Sequence, residues 1–121
     1  MKFNGVCLIT KNVKSLVAFY EKIFNKKANG DKNHADFGNV GLELAIFSIE
    51  GMKNMSPNFS TNIGHGCMTL MFEVENVDAE FKRLKGISVE ILKEPENYPW
   101  GNRSFWFYDP DGNIVDFWSK I

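Results

Sequence analysis

Hydrophobic and polar positions along the chain recur in two rhythms, and the change from one to the other marks the elements. Gly5 to Thr10 is a short apolar run with β-branched residues at its end, so it reads as a strand. Asn12 then stands as a helix N-cap before Val13, Leu16, Val17, Tyr20, Ile23 and Phe24, whose spacing makes one apolar helical stripe. Asn25 to Asn33 is polar and contains Gly30, as a turn or short edge strand would. His34 to Phe37 and Gly41 to Phe47 read as strands about the turn Gly38-Asn39. In the latter, Leu42, Leu44 and Ile46 share one face and Glu43, Ala45 and Phe47 the other.

Ile49 to Asn62 has no periodicity and mixes Gly, Pro, Ser and Asn, which marks a linker. Beyond it, Cys67 to Val74 alternates with Met68, Leu70, Phe72 and Val74 on one face and Cys67, Thr69, Met71 and Glu73 on the other. Asn76 or Asp78 caps a short helix carrying Val77, Phe81 and Leu84 and ending at Gly86. Ile87 to Leu92 follows as a strand, and Glu94 to Asn102, with Pro95, Pro99 and Gly101, as a loop. The chain closes on a hairpin with arms Arg103 to Tyr108 and Asn113 to Ser119. Its turn, Asp109 to Asn113, has Pro110 to preset φ, Asp109 to hold the backbone ahead of it and Gly112 for the positive φ.

The two halves run alike. Each is strand, helix and short strands ending in one that carries an acid, Glu43 or Asp116, after a Gly-Asn turn. Lys11-Asn12-Val13 matches Glu75-Asn76-Val77 at the strand-to-helix junction. A βαβββ unit used twice is the inference, with a first module over residues 1–48, a linker over 49–62 and a second module over 63–121 of one α+β domain.

Composition narrows the function. At 121 residues the chain can bury a core without staples, and a net charge of −1 with no Lys/Arg block gives phosphate no handle, so nucleic acid is not expected as a partner. Cys7 and Cys67 lack the close spacing of zinc sites and redox dithiols and read as buried thiols. No signal peptide or membrane-length apolar run is present, so a cytoplasmic protein without membrane contact is expected. Aromatic residues at 14% are rich for a globular chain, and they either fill the core or line a site.

Several of these segments carry a resemblance: Phe19-Tyr20 in the first helix, Leu42-Glu43-Leu44, and above all Trp100-Gly101 followed by Phe107-Tyr108-Asp109-Pro110-Asp111-Gly112-Asn113. Over nearly its whole length the chain resembles the vicinal oxygen chelate superfamily of glyoxalases, bleomycin-resistance proteins and extradiol dioxygenases. The resemblance implies two βαβββ modules curled into a half-barrel cup around a small-molecule ligand, and a homodimer. It implies metal-ligand positions at Gly5, Glu43, Thr69 and Asp116, where only two residues are competent ligands. Three or more are needed for catalytic zinc or an octahedral metal, so no cofactor is expected, and a divalent metal is the minor alternative. His65 lies four residues before Thr69, roughly 13 Å along a strand, and His34 stands alone at a strand start, so neither completes the set.

If Leu42, Leu44, Met68, Leu70, Phe72, Val115 and Phe117 pack on the helices, the opposite face carries Glu43, Glu73 and Asp116 among Cys7, Ile9, Phe47, Met71, Ile114 and Trp118. Trp100 stands in the Pro-rich loop, and the face of Trp106 is left open by the parity of its strand. Glu43, Phe47, Met71, Glu73, Trp100, Trp106, Asp116 and Trp118 are thus the candidate ligand-binding residues, in an acidic aromatic groove suited to a small aromatic or cationic molecule. Similarity to the bleomycin-resistance branch implies sequestration without a metal. The alternatives are a glyoxalase-type lyase or isomerase, or a dioxygenase-related enzyme, acting through Glu43 and Asp116, or a dimeric interaction domain.

Overall fold

The computed structural model describes residues 1–64 and 66–121, and for Asn39 the backbone alone. The chain forms two compact units, Met1–Ile63 and Gly64–Ile121. In order, the elements are β1 (Gly5–Thr10), α1 (Val13–Phe24), β2 (Asn29–Gly30), β3 (His34–Asn39), β4 (Glu43–Ser48), α2 (Ile49–Met55), β5 (Thr69–Glu73), α3 (Val77–Lys85), β6 (Ile91–Asn97), β7 (Asn102–Tyr108) and β8 (Ile114–Lys120). The first sheet runs β1-β4-β3-β2 and the second β5-β8-β7-β6. In each, the strand before the helix lies parallel to the last strand, and the remaining pairs are antiparallel. Two βαβββ units of one topology are therefore present, an α+β arrangement.

Each unit folds by burying one sheet face under its own helix. Asn12 caps α1 by accepting from the Ser15 N–H at 3.0 Å, which sets Val13, Leu16, Tyr20 and Ile23 inward. They meet Leu8, Ala35, Phe37, Leu44 and Ile46 of the sheet in the buried core. In the second unit Asn76 caps α3 through the Ala79 N–H at 2.9 Å. Buried Val77 and Leu84 are joined there by Phe105, Phe107, Val115 and Phe117. Edge-to-face contacts such as Phe107 with Phe117, centroids 5.1 Å apart, pack that layer.

The turn before β8 closes as its residues dictate. Asp109, 4% exposed, accepts from the Asp111 and Asn113 N–H groups at 2.9 Å each and from the Asn113 side chain at 2.8 Å. Gly112 takes φ 83°.

Five sequence expectations give way. Ile49–Met55, inside the stretch read as linker, is helical, because Ser48 caps it through the Gly51 N–H at 2.8 Å. Only Gly51 of that helix is buried, so no apolar period marks it. The strand expected over residues 87–92 lies instead at Ile91–Asn97, since the Ile87 and Val89 N–H groups fold back onto the Leu84 carbonyl. Pro95, read as loop, sits in this edge strand where the ladder shifts register between Lys93 and Glu96, so its missing N–H costs no pairing. Leu42 and Met68 are 47% and 43% exposed, each lying just before its strand begins. Cys7 and Cys67 are exposed and not joined in a disulfide, where burial was expected.

Candidate functional site

Register decides which side chains share a face. In the second sheet Ser104, Trp106 and Tyr108 of β7 stand opposite Trp118, Asp116 and Ile114 of β8. On the far side of β8, Thr69, Met71 and Glu73 of β5 pair with Ile114, Asp116 and Trp118. Directly paired residues point the same way, so Met71, Glu73, Trp106, Asp116 and Trp118 share the face away from α3. The side of Trp106, open in the sequence, is thereby settled.

Two further residues join them from β6 and the loop after it. Lys93 pairs with Trp106, and its Nζ lies over that ring at 5.2 Å and over the Tyr98 ring at 4.7 Å from the centroid. The Tyr98 and Trp106 rings are parallel within 5° with centroids 6.4 Å apart. Trp100, 70% exposed, stacks on Tyr98 at 4.7 Å. A turn holds it there: the Tyr98 carbonyl accepts from the Gly101 N–H at 3.0 Å, with Pro99 inside and Gly101 at φ 94°. Tyr98 and Lys93 were not among the residues singled out in the sequence, because Pro95 made their segment read as a loop. The clue was a Lys-x-x-Glu run ahead of an aromatic, which an edge strand tolerating one Pro would carry.

Asp116 is the polar centre of this face. Burial pushes its carboxyl above the ordinary carboxylate range, and the Ser104 and Trp106 donors beside it oppose that shift without cancelling it. Asp116 Oδ1, Trp106 Nε1 and the Tyr98 hydroxyl are the buried side-chain polar atoms without a well-formed hydrogen bond among the described residues. Lys93 is held above the ordinary lysine range by Tyr98 and Glu96, the latter 3.0 Å away. Arg103 is committed elsewhere: it grips Asp78 with two bonds, at 2.7 and 3.0 Å, which ties β7 to the start of α3.

The first sheet places Glu43 and Phe47 together on its own face away from α1, paired with Gly5 and Ile9 of β1. Glu43 is exposed and accepts from the Asn4 side chain at 3.1 Å. It borders a cavity of about 360 Å³ with Phe3, Leu42 and Gly41. Phe47 is half-buried, edge-on to His34 at 5.5 Å, with its ring against Gly51 so closely that a Cβ there would collide with it.

Of the four positions implied as metal ligands, Glu43 and Asp116 carry carboxylates. Gly5 offers no ligand atom, and a Cβ on it would strike the Glu43 carbonyl, so β1 and β4 are closer than any larger residue allows. Thr69 pairs with Ile114, while Asp116 faces Met71. His65 lies outside the described residues, and among those described no three His, Cys, Asp or Glu side chains gather.

Comparison with known proteins agrees with this fold. The family described as Glyoxalase/Bleomycin resistance protein/Dioxygenase superfamily matches residues 2–117. Fosfomycin resistance protein FosX of Listeria monocytogenes is 24% identical over 119 residues, covering 92% of this chain and 84% of that protein. A glyoxalase/bleomycin resistance protein/dioxygenase from Nocardioides superposes with a TM-score of 0.83 at 20% identity, over 100% of this chain and 84% of its own. Lactoylglutathione lyase from Agrobacterium tumefaciens does so at 0.74 and 18% identity, over 98% and 92%.

Proposed function

The chain belongs to the Glyoxalase/Bleomycin resistance protein/Dioxygenase superfamily, and we propose that within it this protein binds a small flat organic molecule without a catalytic metal and sequesters it unchanged. The observation that carries this reading is the alignment of Trp106, Asp116 and Trp118 on one sheet face, with Tyr98 and Trp100 stacked beside them. Aromatic faces next to a few polar atoms form the surface a planar ligand needs. Glu43 and Phe47 are assigned to the same function from the first unit. Absence of a metal is supported by the donor set, in which Gly5 and Thr69 replace side chains that could ligate.

The homodimer implied by the resemblance and a cytoplasmic location are part of the same proposal. No helix among the described residues is long and apolar enough to cross a membrane.

Two measurements test it. Elemental analysis of protein purified without a chelating column should find no stoichiometric divalent ion; finding one overturns the metal-free reading. Titration with planar organic probes should shift the tryptophan signals saturably, and a flat response to every probe overturns ligand binding.

An enzyme is the second reading, and one observation favours it: a carboxyl whose affinity for protons is raised, as at Asp116, suits a general acid or base. In that case Asp116→Asn abolishes product formation from a bound molecule while leaving binding measurable.

A further inference from the structure

A cavity of about 570 Å³ lies within the first unit, at the end of its sheet where β1 and β4 finish and β3 begins. Parallel pairing of Thr10 with Ser48 ends the two strands together, so the chain segments around them meet there. Lys11 follows β1, Lys32 and Asn33 precede β3, Glu50 stands in the first turn of α2, and Thr61 comes from the segment beyond that helix. Neither lysine pairs with an acid among the described residues. Because the two sit on different connections, they form no block of charge that the sequence could display.

The other groups of the wall mostly add donors. Asn33 Oδ1 accepts from the Ser48 hydroxyl at 3.2 Å, and that hydroxyl accepts from the Gly51 N–H at 2.8 Å, which leaves the Asn33 NH2 without a partner among the described residues. Thr61 can donate as well. Asp31, next to Lys32, does not line the cavity and spends Oδ1 on the Asn33 and His34 N–H groups at 2.8 and 3.0 Å. Glu50 is thus one carboxylate against two ammonium groups, and a hollow lined with an excess of one sign draws the other.

We infer that this cavity binds a small oxyanion, the phosphate or carboxylate group of a polar metabolite, through Lys11 and Lys32, with Asn33 as a neutral donor. Glu50 opposes any further negative charge and suits a ligand that also carries a hydroxyl or ammonium donor. The site lies wholly in the first unit. It stands whether or not the aromatic face of the second unit takes a planar molecule.

Inorganic phosphate, malonate and chloride, added to the intact chain at one constant ionic strength, test it by heteronuclear NMR through the backbone amide signals of Val13, Asn33 and Ile49, which border the cavity. Phosphate or malonate should move these signals saturably in the millimolar range: phosphate alone marks a phosphate-bearing ligand, malonate alone a dicarboxylate, and both a site for oxyanions in general. Chloride should not saturate. Lys11→Gln and Lys32→Gln, both at exposed positions where the fold tolerates the change, should each weaken that binding by at least ~3-fold, the scale of one partly screened charge contact. Glu50→Gln should instead tighten it by about threefold, because it removes the opposing charge. A response no different from that of chloride overturns the site, as does a saturable one that either lysine variant leaves unchanged or that Glu50→Gln weakens.

Discussion

Asp116→Asn should make the protein more stable at neutral pH. The carboxyl is half-buried on β8, its Oδ1 has no well-formed hydrogen bond, and burial raises its affinity for protons in the folded state. Keeping a carboxylate charged while half withdrawn from water has a cost that the remaining solvent screens down to about 1 kcal/mol. The amide has the same shape and no charge to desolvate, so it escapes that cost. The sign with pH follows from linkage. The folded chain holds the Asp116 proton more tightly than the unfolded chain, so wild type loses stability as pH rises from the ordinary value of 3.8 through the raised folded value, and carries the full cost above it. The variant's advantage is therefore largest at neutral pH and shrinks as the medium is acidified through that window. Urea unfolding followed by circular dichroism reads this directly: with a slope of about 2 kcal/mol per molar, the midpoint should rise by about 0.5 M near neutral pH and converge with wild type near about pH 4. A variant less stable than wild type at neutral pH, or an advantage that does not change on acidification, refutes the account of Asp116 as a strained carboxylate.

Three other outcomes follow from the same geometry. Gly5→Ala should cost about 1–3 kcal/mol in chemical denaturation, the penalty of forcing a methyl against the Glu43 carbonyl where β1 meets β4. Asp109→Ala removes three hydrogen bonds and strands the buried Asn113 amide, for about 3 kcal/mol and a melting temperature lower by roughly 12 °C. Trp118→Ala should weaken the tightest-binding planar probe by at least ~1 kcal/mol, about fivefold, in calorimetric titration; unchanged affinity would remove Trp118 from the ligand face.

Local chemistry made much of the fold legible. Asn12 and Asn76 announce two helices because a side-chain oxygen satisfies an N–H that the helix leaves open, and both act so. The hairpin turn is as readable, since Asp109 and Gly112 have few other uses in that order. The candidate site was legible in its acids and tryptophans but not in its arrangement. The parity of Trp106 depends on pairing with Asp116, a contact between strands that no local pattern records. Lys93 and Tyr98 were hidden by Pro95, since a proline reads as a break unless the ladder skips the one residue that cannot donate. The short helix after Ser48 was hidden because burying one glycine leaves no stripe.

The two sheets share one plan but not one perimeter. The outer strand of the first has two residues, Asn29–Gly30, and that of the second has seven, Ile91–Asn97, running on into the Tyr98–Trp100 stack. A duplicated blueprint has thus been kept wherever helices press on strands and rewritten at its border, where an added residue disturbs no interior packing. Exchanging the β6 margin and the loop after it, while keeping β7 with its buried Phe105 and Phe107, should therefore leave the folding of the second unit intact.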